Sequence, residues 1–334
     1  MRNNNSKTLV AEHNQYIDFR KPGTLGIDVK IGIKGDGKAI KMLQRQDKIL
    51  KGISLFITYA LLILMALVVI FPFYWMIITS LKAMNEIRAD VQTFFPAIVM
   101  WSNYVDAFNG FNFVLYMGNT IFVGAVSTVG TLITTVLSAF AFARLKFAGR
   151  DALFLLFLAT MMIPGEMMVI SNYITVSSFG WLGGNGVSQT QSGAFLAMII
   201  PFWVSVFYIY LLRQNMKQVP NELYLASKVD GKTDFGFLLK VMVPLVAPSL
   251  ISITILKFMG TWNSYVWPNL VASKEDFFLI SNGLRSASFT DLEGNTLFGP
   301  QMAATIVVTV PLFLLFVFFR KYIMRGVGRA GIKG

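Results

Sequence analysis

The stretch QVPNELYLASKVDGKTDFGFLLKVMVPLVAP, residues 218–248, packs Glu222, Lys228, Asp230, Lys232 and Asp234 around one Asp-Gly step, in a chain of 334 residues that is 55% hydrophobic and 14% charged. Pro220 cannot continue a preceding helix and the Asn221 side chain suits an N-cap, so a new helix is expected to start at Glu222. The Glu222 carboxylate would sit at the positive end of the helix dipole. Leu223, Ala226 and Val229 recur every three residues as a narrow apolar stripe, and Gly231 supplies a left-handed stop. The product is a helix of about nine residues, ~13 Å long. Isolated helices below ~12 residues are marginal in water, so this one either packs into something or is a solvated loop that happens to be helical.

What flanks this stretch is apolar. A hydrocarbon core of ~30 Å takes about 20 apolar helical residues per crossing, and runs of that length recur six times. They are Ile53 to Ser80, Tyr116 to Phe142, Ala152 to Asn172, Gln191 to Leu212, Val241 to Trp262 and Met302 to Phe319. The expected fold is therefore an all-α polytopic membrane protein with six transmembrane helices. The first run is too long, and starts too far along the chain, to read as a cleaved signal.

Basic residues concentrate in alternate connections. Eleven precede the first run, three lie between the second and third, five between the fourth and fifth, and five follow the last. The other loops hold Lys82 and Arg88, Lys274 and Arg285, or none, and Lys257 lies inside a run. By the positive-inside rule both termini are expected in the cytoplasm. The net charge of +12 then describes a membrane face beside anionic lipid, with no nucleic-acid partner implied. With no Cys and one His, His13, in a polar tail, thiolate chemistry is excluded and no Cys/His metal site is expected.

Residues 1–51 read as a basic leader, either solvated and partly disordered or ending in a short interfacial helix over KAIKMLQRQDKILKG. The leader contains Gly-x4-Gly-Lys in GIKGDGKA, Gly32 to Ala39, but Ala39 stands where a phosphate-binding loop needs Ser or Thr, and no nucleotide-binding fold could be built around it. The segment after the first run, with Phe94, Phe95, Trp101 and Tyr104, is expected to lie along the outer surface. The connection from Asn263 to about Gln301 is the longest between runs, and a loop of that length is usually functional or disordered.

Two ionisable residues fall inside runs, Glu166 after Ile-Pro-Gly and Lys257. Counted along straight helices, they reach heights of ~21 and ~24 Å. Intramembrane charge marks a functional site by default, so the pair is expected either to meet or to face one wet cavity; snorkelling of Lys257 to the headgroups is the alternative. Pro164 is read as a break, and Pro244 and Pro311 as ordinary interruptions. The aromatics of TWNSYVWP suit sugar faces, but a packed helix end would use Trp262 and Tyr265 equally well.

The spacing in PNELYLASKVDG and the following VPLVAP resembles the cytoplasmic loop signature of importer permeases in the ATP-binding-cassette superfamily. Leu225-Ala226-Ser227 stands where that signature has Glu-Ala-Ala, and Lys232 where it has Ala. From about residue 53 onward, WSNYVDAF, GNTIFVG, SAFAFARLKFAGR, MMIPGE, MGTWNSYVWP and RGVGRAGIKG are similar to carbohydrate-uptake permeases, the shorter, six-span partner of the maltose-type pair. The resemblance implies a permease domain over 52–334 and a coupling helix at about 221–231 that docks into a cleft of a cytoplasmic ATPase.

On that resemblance Glu222 would meet a basic group of the ATPase, Ala226 and Ser227 would stand at the contact, and Asp230 and Gly231 would fix the turn. The tail Gly331, Lys333 and Gly334 would reach between the ATPases, and the long outer loop would probe a substrate-loaded binding protein. Trp262, Asn263 and Tyr265, with Glu166 and Lys257, become candidates for the translocation pathway. The implied partners are a second permease, two ATPase subunits, an extracytoplasmic binding protein and the bilayer of a bacterial or archaeal cytoplasmic membrane. ATP is hydrolysed by those partners and this chain carries no cofactor.

Two other classes compete. An ion-coupled secondary transporter usually shows internal repeats, and none is evident. An intramembrane hydrolase needs a positioned acid, base or metal set, and no paired carboxylates face each other within the runs. Glycerol-phosphate permeases share the general pattern, so an anionic polyol stays open as cargo.

Overall fold

The computed structural model describes residues 37–184, 186–287, 289–290 and 294–328, with side chains described for Arg45 and, within those ranges, from Lys48 to Tyr322. His13 and most of the leader, together with the tail Gly331, Lys333 and Gly334, lie outside the described residues. Apart from two isolated bridges, Gly184–Val187 and Thr290–Thr296, every described regular element is helical. The chain divides into a unit ending at Met65 and a unit from Ala66 to Ile332. The first helix, Gly37–Ser80, starts well before Ile53 and shows no boundary at residue 51. Its stretch from Lys48 to Ser80 is long and apolar enough to cross a membrane, as are Phe113–Arg144 and Phe298–Tyr322.

The other three expected crossings are bent pairs. Arg150–Thr160 and Gly165–Ser178 meet at 90°, Gln191–Phe202 and Val206–Gln218 at 48°, and Asp234–Leu245 and Ala247–Trp262 at 79°. By length and composition the described residues thus hold up to six spans, three of them broken. Each break has a local cause. Pro164 is extended (φ −57°, ψ 133°) ahead of a tight turn at Gly165–Met168. Pro201 lies in the turn Ile200–Phe202, and Ser205 is extended before its hydroxyl caps the Tyr208 amide. In the third, a π-helical turn over Leu238–Met242 runs into Pro244, and Val246 leaves the helix (φ −97°, ψ 9°) just before Pro248. Pro164 is the break the sequence predicted and Pro311 rides inside a continuous helix, but Pro244, expected as an ordinary interruption, sits at a sharp bend.

Within the second unit, the Phe113–Arg144 helix is central and packs on both Val206–Gln218 and Ala247–Trp262, while Phe298–Gly328 packs on Ala247–Trp262 and on Ser102–Asn109. Small and hydroxyl residues let membrane helices approach closely. The central helix accordingly buries Thr120, Gly124, Ser127, Thr128, Gly130, Thr131 and Thr135. At Gly130 a Cβ would lie 2.3 Å from the Trp203 indole, so only glycine fits there.

The long connection after Asn263 is mostly folded. Helices Val266–Val271 and Ile280–Ser286 return into the core, where Trp267, Leu279, Ile280 and Asn282 are buried. The Trp267 indole donates to the Ala197 carbonyl (3.0 Å), and the Asn119 amide donates to the Asp276 (2.8 Å) and Phe278 (3.0 Å) carbonyls. The long connection read as functional or disordered is thus largely folded into the core. Before it, Phe94, Phe95 and Trp101 are exposed. Lys82 is buried, with its ammonium bonded to the Thr93 carbonyl and 5.0 Å from the Trp75 ring.

Candidate functional site

The short helix runs Asn221–Val229, one residue earlier than predicted, behind an extended Pro220 (φ −55°, ψ 139°) and without a side-chain cap. Asn221 is engaged elsewhere: its Oδ1 accepts from Arg144 Nη1 (3.2 Å). Arg144 Nη2 also donates to the Met216 carbonyl (2.8 Å) and to the Val219 carbonyl. These are the last carbonyls of the preceding helix, of which Met216 otherwise accepts only the Val219 amide (3.3 Å), and a guanidinium fork can bridge several acceptors at once. One side chain at the end of Phe113–Arg144 therefore ties the central helix to the entry of the short one.

The exit is fixed as tightly. Gly231 takes φ +73°, the Gly231 amide donates to the Lys228 carbonyl (3.0 Å) and the Lys232 amide to the Ser227 carbonyl (2.9 Å), the paired pattern of a left-handed helix stop. Thr233 then caps the next helix by accepting from the Gly236 amide (3.1 Å).

The helix has two unlike faces. On the inner face the Tyr224 ring packs edge-on to Phe237 (5.2 Å) and its hydroxyl donates to Asp234 Oδ1 (2.5 Å), which also pairs with Lys228 (2.7 Å). The hydrogen bond to Asp234 raises the Lys228 ammonium above its ordinary value. Burial, then the Asp234 bond, push the Tyr224 phenol up. Ser227, grouped by the sequence with the contact residues, faces this way too: it is 4% exposed and donates to the Tyr224 carbonyl (2.7 Å). On the outer face Leu223 is 44% and Val229 89% exposed, with Glu222, Ala226, Asp230 and Gly231 exposed beside them. The predicted apolar stripe exists, and it points away from its own chain.

The five pathway candidates are not brought together. Glu166 is exposed in the turn at the 90° break, so the straight-helix height does not apply, and among the described residues no ion pair joins it to Lys257. Lys257 Nζ instead donates to the Phe202 carbonyl (3.1 Å), freed where the Gln191–Phe202 helix ends, and lies 5.9 Å from the Phe202 ring. The neighbouring freed carbonyl, of Trp203, accepts from Thr134 (2.6 Å). Lys257 lines a cavity of about 340 Å³ with Ser127, Ser205 and Tyr208. Trp262, Asn263 and Tyr265 line a second cavity of about 720 Å³ with Arg285 and Gln301. Trp262 is 4% exposed and packs on Phe258, its carbonyl accepting from Ser281 (2.6 Å), so it serves as a packed helix end.

Sequence reasoning passed over Arg144, Tyr224 and the Lys228–Asp234 pair. The available signal for Arg144 was its place as a lone cation in the last turn of a long apolar helix, where unpaired carbonyls collect.

Comparison with known proteins agrees with this architecture. The chain is 28% identical over 272 residues to the arabinooligosaccharides transport system permease protein AraQ of Halalkalibacterium halodurans, covering 80% of this chain and 93% of that one. It is 28% identical over 298 residues to the trehalose/maltose transport system permease protein MalG of Thermococcus litoralis, covering 86% and 99%. A solved bacterial ABC transporter that imports the acidic polysaccharide alginate superposes with a TM-score of 0.71 at 22% identity, covering 83% of this chain and 98% of that one, which shows the same fold. The family described as binding-protein-dependent transport system inner membrane component matches residues 130–329, more than half of the chain. This polytopic helical chain, with its two-faced helix at Asn221–Val229, belongs to that family of multi-pass transport permeases of the cell's inner membrane.

Proposed function

We propose that this chain is one permease of a heterodimeric pore that imports a sugar, oligosaccharide or related polyol, with both termini in the cytoplasm. Two cytoplasmic ATPase subunits drive it, an extracytoplasmic binding protein loads it, and the chain itself catalyses nothing. The cargo class is supported by relatives that carry arabinooligosaccharides and trehalose or maltose.

The observation that carries the reading is the two-faced helix. A nine-residue helix is marginal alone, yet this one is clamped by its own chain along Tyr224, Ser227 and Lys228 while Leu223, Ala226 and Val229 stay uncovered. Such a shape fits a coupling helix: the outer face docks into an ATPase cleft, Glu222 meets a basic group there, and Asp230 and Gly231 hold the turn. The tail at Gly331, Lys333 and Gly334 is assigned to the same ATPases by resemblance. Closure of the ATPases would then shift the pore between inward-open and outward-open states.

Cysteine at Val229, crosslinked in membranes that contain the whole transporter, is expected to capture an ATPase subunit, and Ala226→Trp is expected to abolish uptake. Failure to capture any nucleotide-hydrolysing subunit, together with normal uptake by the tryptophan variant, would sink the assignment.

A further inference from the structure

Among the described cations that are not solvent-exposed, Lys257 has the fewest partners. Arg213 is buried, yet it donates to the Phe142 carbonyl (3.1 Å), lies 3.7 Å from the Phe154 ring and has Asp151 at 3.8 Å. Arg144 meets three acceptors. Buried Lys82 has the Thr93 carbonyl, the Trp75 ring and the field of Glu86. Among the described residues Lys257 has one acceptor, the Phe202 carbonyl, and one ring. An ammonium carries three N–H donors, so two are left to face the cavity.

The surroundings of Lys257 are shaped for a polar, ring-bearing guest. Ser127, Ser205, Tyr208, Thr261 and Ser264 supply hydroxyls and Trp267 an aromatic wall, and no described carboxylate lines the space. The larger cavity repeats the pattern: Arg285 stands 5.1 Å from the Tyr265 ring beside Gln301 and Thr305, again with no described carboxylate. One short stretch, Thr261 to Ser264, contributes to both cavities. A cation held away from water without a counter-ion is costly, and the cost is relieved when an anion arrives. Hydroxyl-rich walls with a half-buried Lys257 that faces one carbonyl and no carboxylate, and with exposed Arg285 at the second cavity, therefore favour a guest that brings hydroxyls and negative charge together.

We propose that the cargo is an acidic saccharide, and that Lys257 receives its carboxylate or sulfate group in the 340 Å³ cavity, a reading that rests on the importer function above. Charge-assisted hydrogen bonds from Lys257 hold the acidic group while the hydroxyls hold the ring. Lys257 thereby becomes a specificity-determining residue for an anion.

The complete transporter, reconstituted in liposomes with its partner permease, ATPases and binding protein, tests this with labelled trigalacturonate, its neutral methyl ester and maltotriose. ATP-driven uptake of the acid is expected to exceed that of its ester. Lys257→Gln is expected to lower acid uptake about tenfold or more and uptake of the methyl ester far less. Lys257→Arg, which keeps the charge, is expected to retain most of the acid uptake. Equal uptake of acid and ester, preference for maltotriose, or the same loss for charged and neutral cargo in Lys257→Gln overturns the acidic preference and leaves the importer standing. Absence of ATP-driven uptake for all three sugars overturns the saccharide reading beneath it.

Discussion

At the elbow around Asn221–Val229, Arg144 meets three acceptors and Asp234 holds both Tyr224 and Lys228, whereas at the break after Phe202 one lysine meets one carbonyl. Both places lie where a helix ends and carbonyls are left over. The elbow uses polar groups to remove freedom, as the proposed coupling role requires of a helix that would transmit force. The cavity leaves donors of Lys257 without a described partner, as the proposed cargo contact requires. On these proposals, redundancy of contacts would separate a part that moves as a body from a part that binds.

Substitutions can break that contrast, beginning with the largest effect. Arg144→Gln leaves two buried-side carbonyls without their fork and is expected to cut uptake about tenfold or more while ATP hydrolysis continues, read as sugar carried per ATP consumed. A parallel loss of both rates would instead mean that Arg144 only holds the fold. Tyr224→Phe removes the bond to Asp234 and is expected to loosen the elbow by about 1–2 kcal/mol, seen as faster amide exchange over residues 221–231. Gly231→Ala forces a side chain into the left-handed region at φ +73° and should cost about 1 kcal/mol in the same measurement.

On the cavity side, Thr134→Val strips the Trp203 carbonyl of its donor and is expected to lower the melting temperature of the purified complex by no more than about 1 kcal/mol would, without changing exchange at the elbow. The smallest effect is that of pH. The folded Lys228 ammonium titrates above its ordinary value of 10.5, so its contact contributes fully below that value and is lost only as pH rises through the raised one. Elbow exchange, corrected for intrinsic rates, is therefore expected to stay flat from about pH 6 to 9.

Six apolar runs and a short polar helix were readable because hydropathy and turn chemistry are local. The bends were not: a run such as Gln191 to Leu212 has the same composition straight or broken at 48°, and only Pro201 and Ser205 hint at the corner. The helix at Asn221–Val229 was found within one residue, since Pro220 and Gly231 mark its ends by backbone constraint alone. Its inner face was missed in part, because Tyr224 is placed by what lies ten or more residues away at Asp234 and Phe237, and Ser227 is buried on the same side. Glu166 and Lys257 matched in depth only on the assumption of straight helices, which the break at Pro164 removes. Arg144 escaped notice because two of its three acceptors are main-chain oxygens, which carry no residue identity, and the third, the Asn221 side chain, lies 77 residues further along the chain.

Between Val229 and Asp234 only four residues intervene, and the first three spend their amides on Ala226, Lys228 and Ser227 while Thr233 caps the next helix. The join has no slack to take up. On the proposed coupling role, a push on Val229 would be carried to Phe237 and the π-helical turn beyond it, as through a bell-crank, and that turn, with its wider i→i+5 ring beside Pro244, is where the stroke would first be converted into bending.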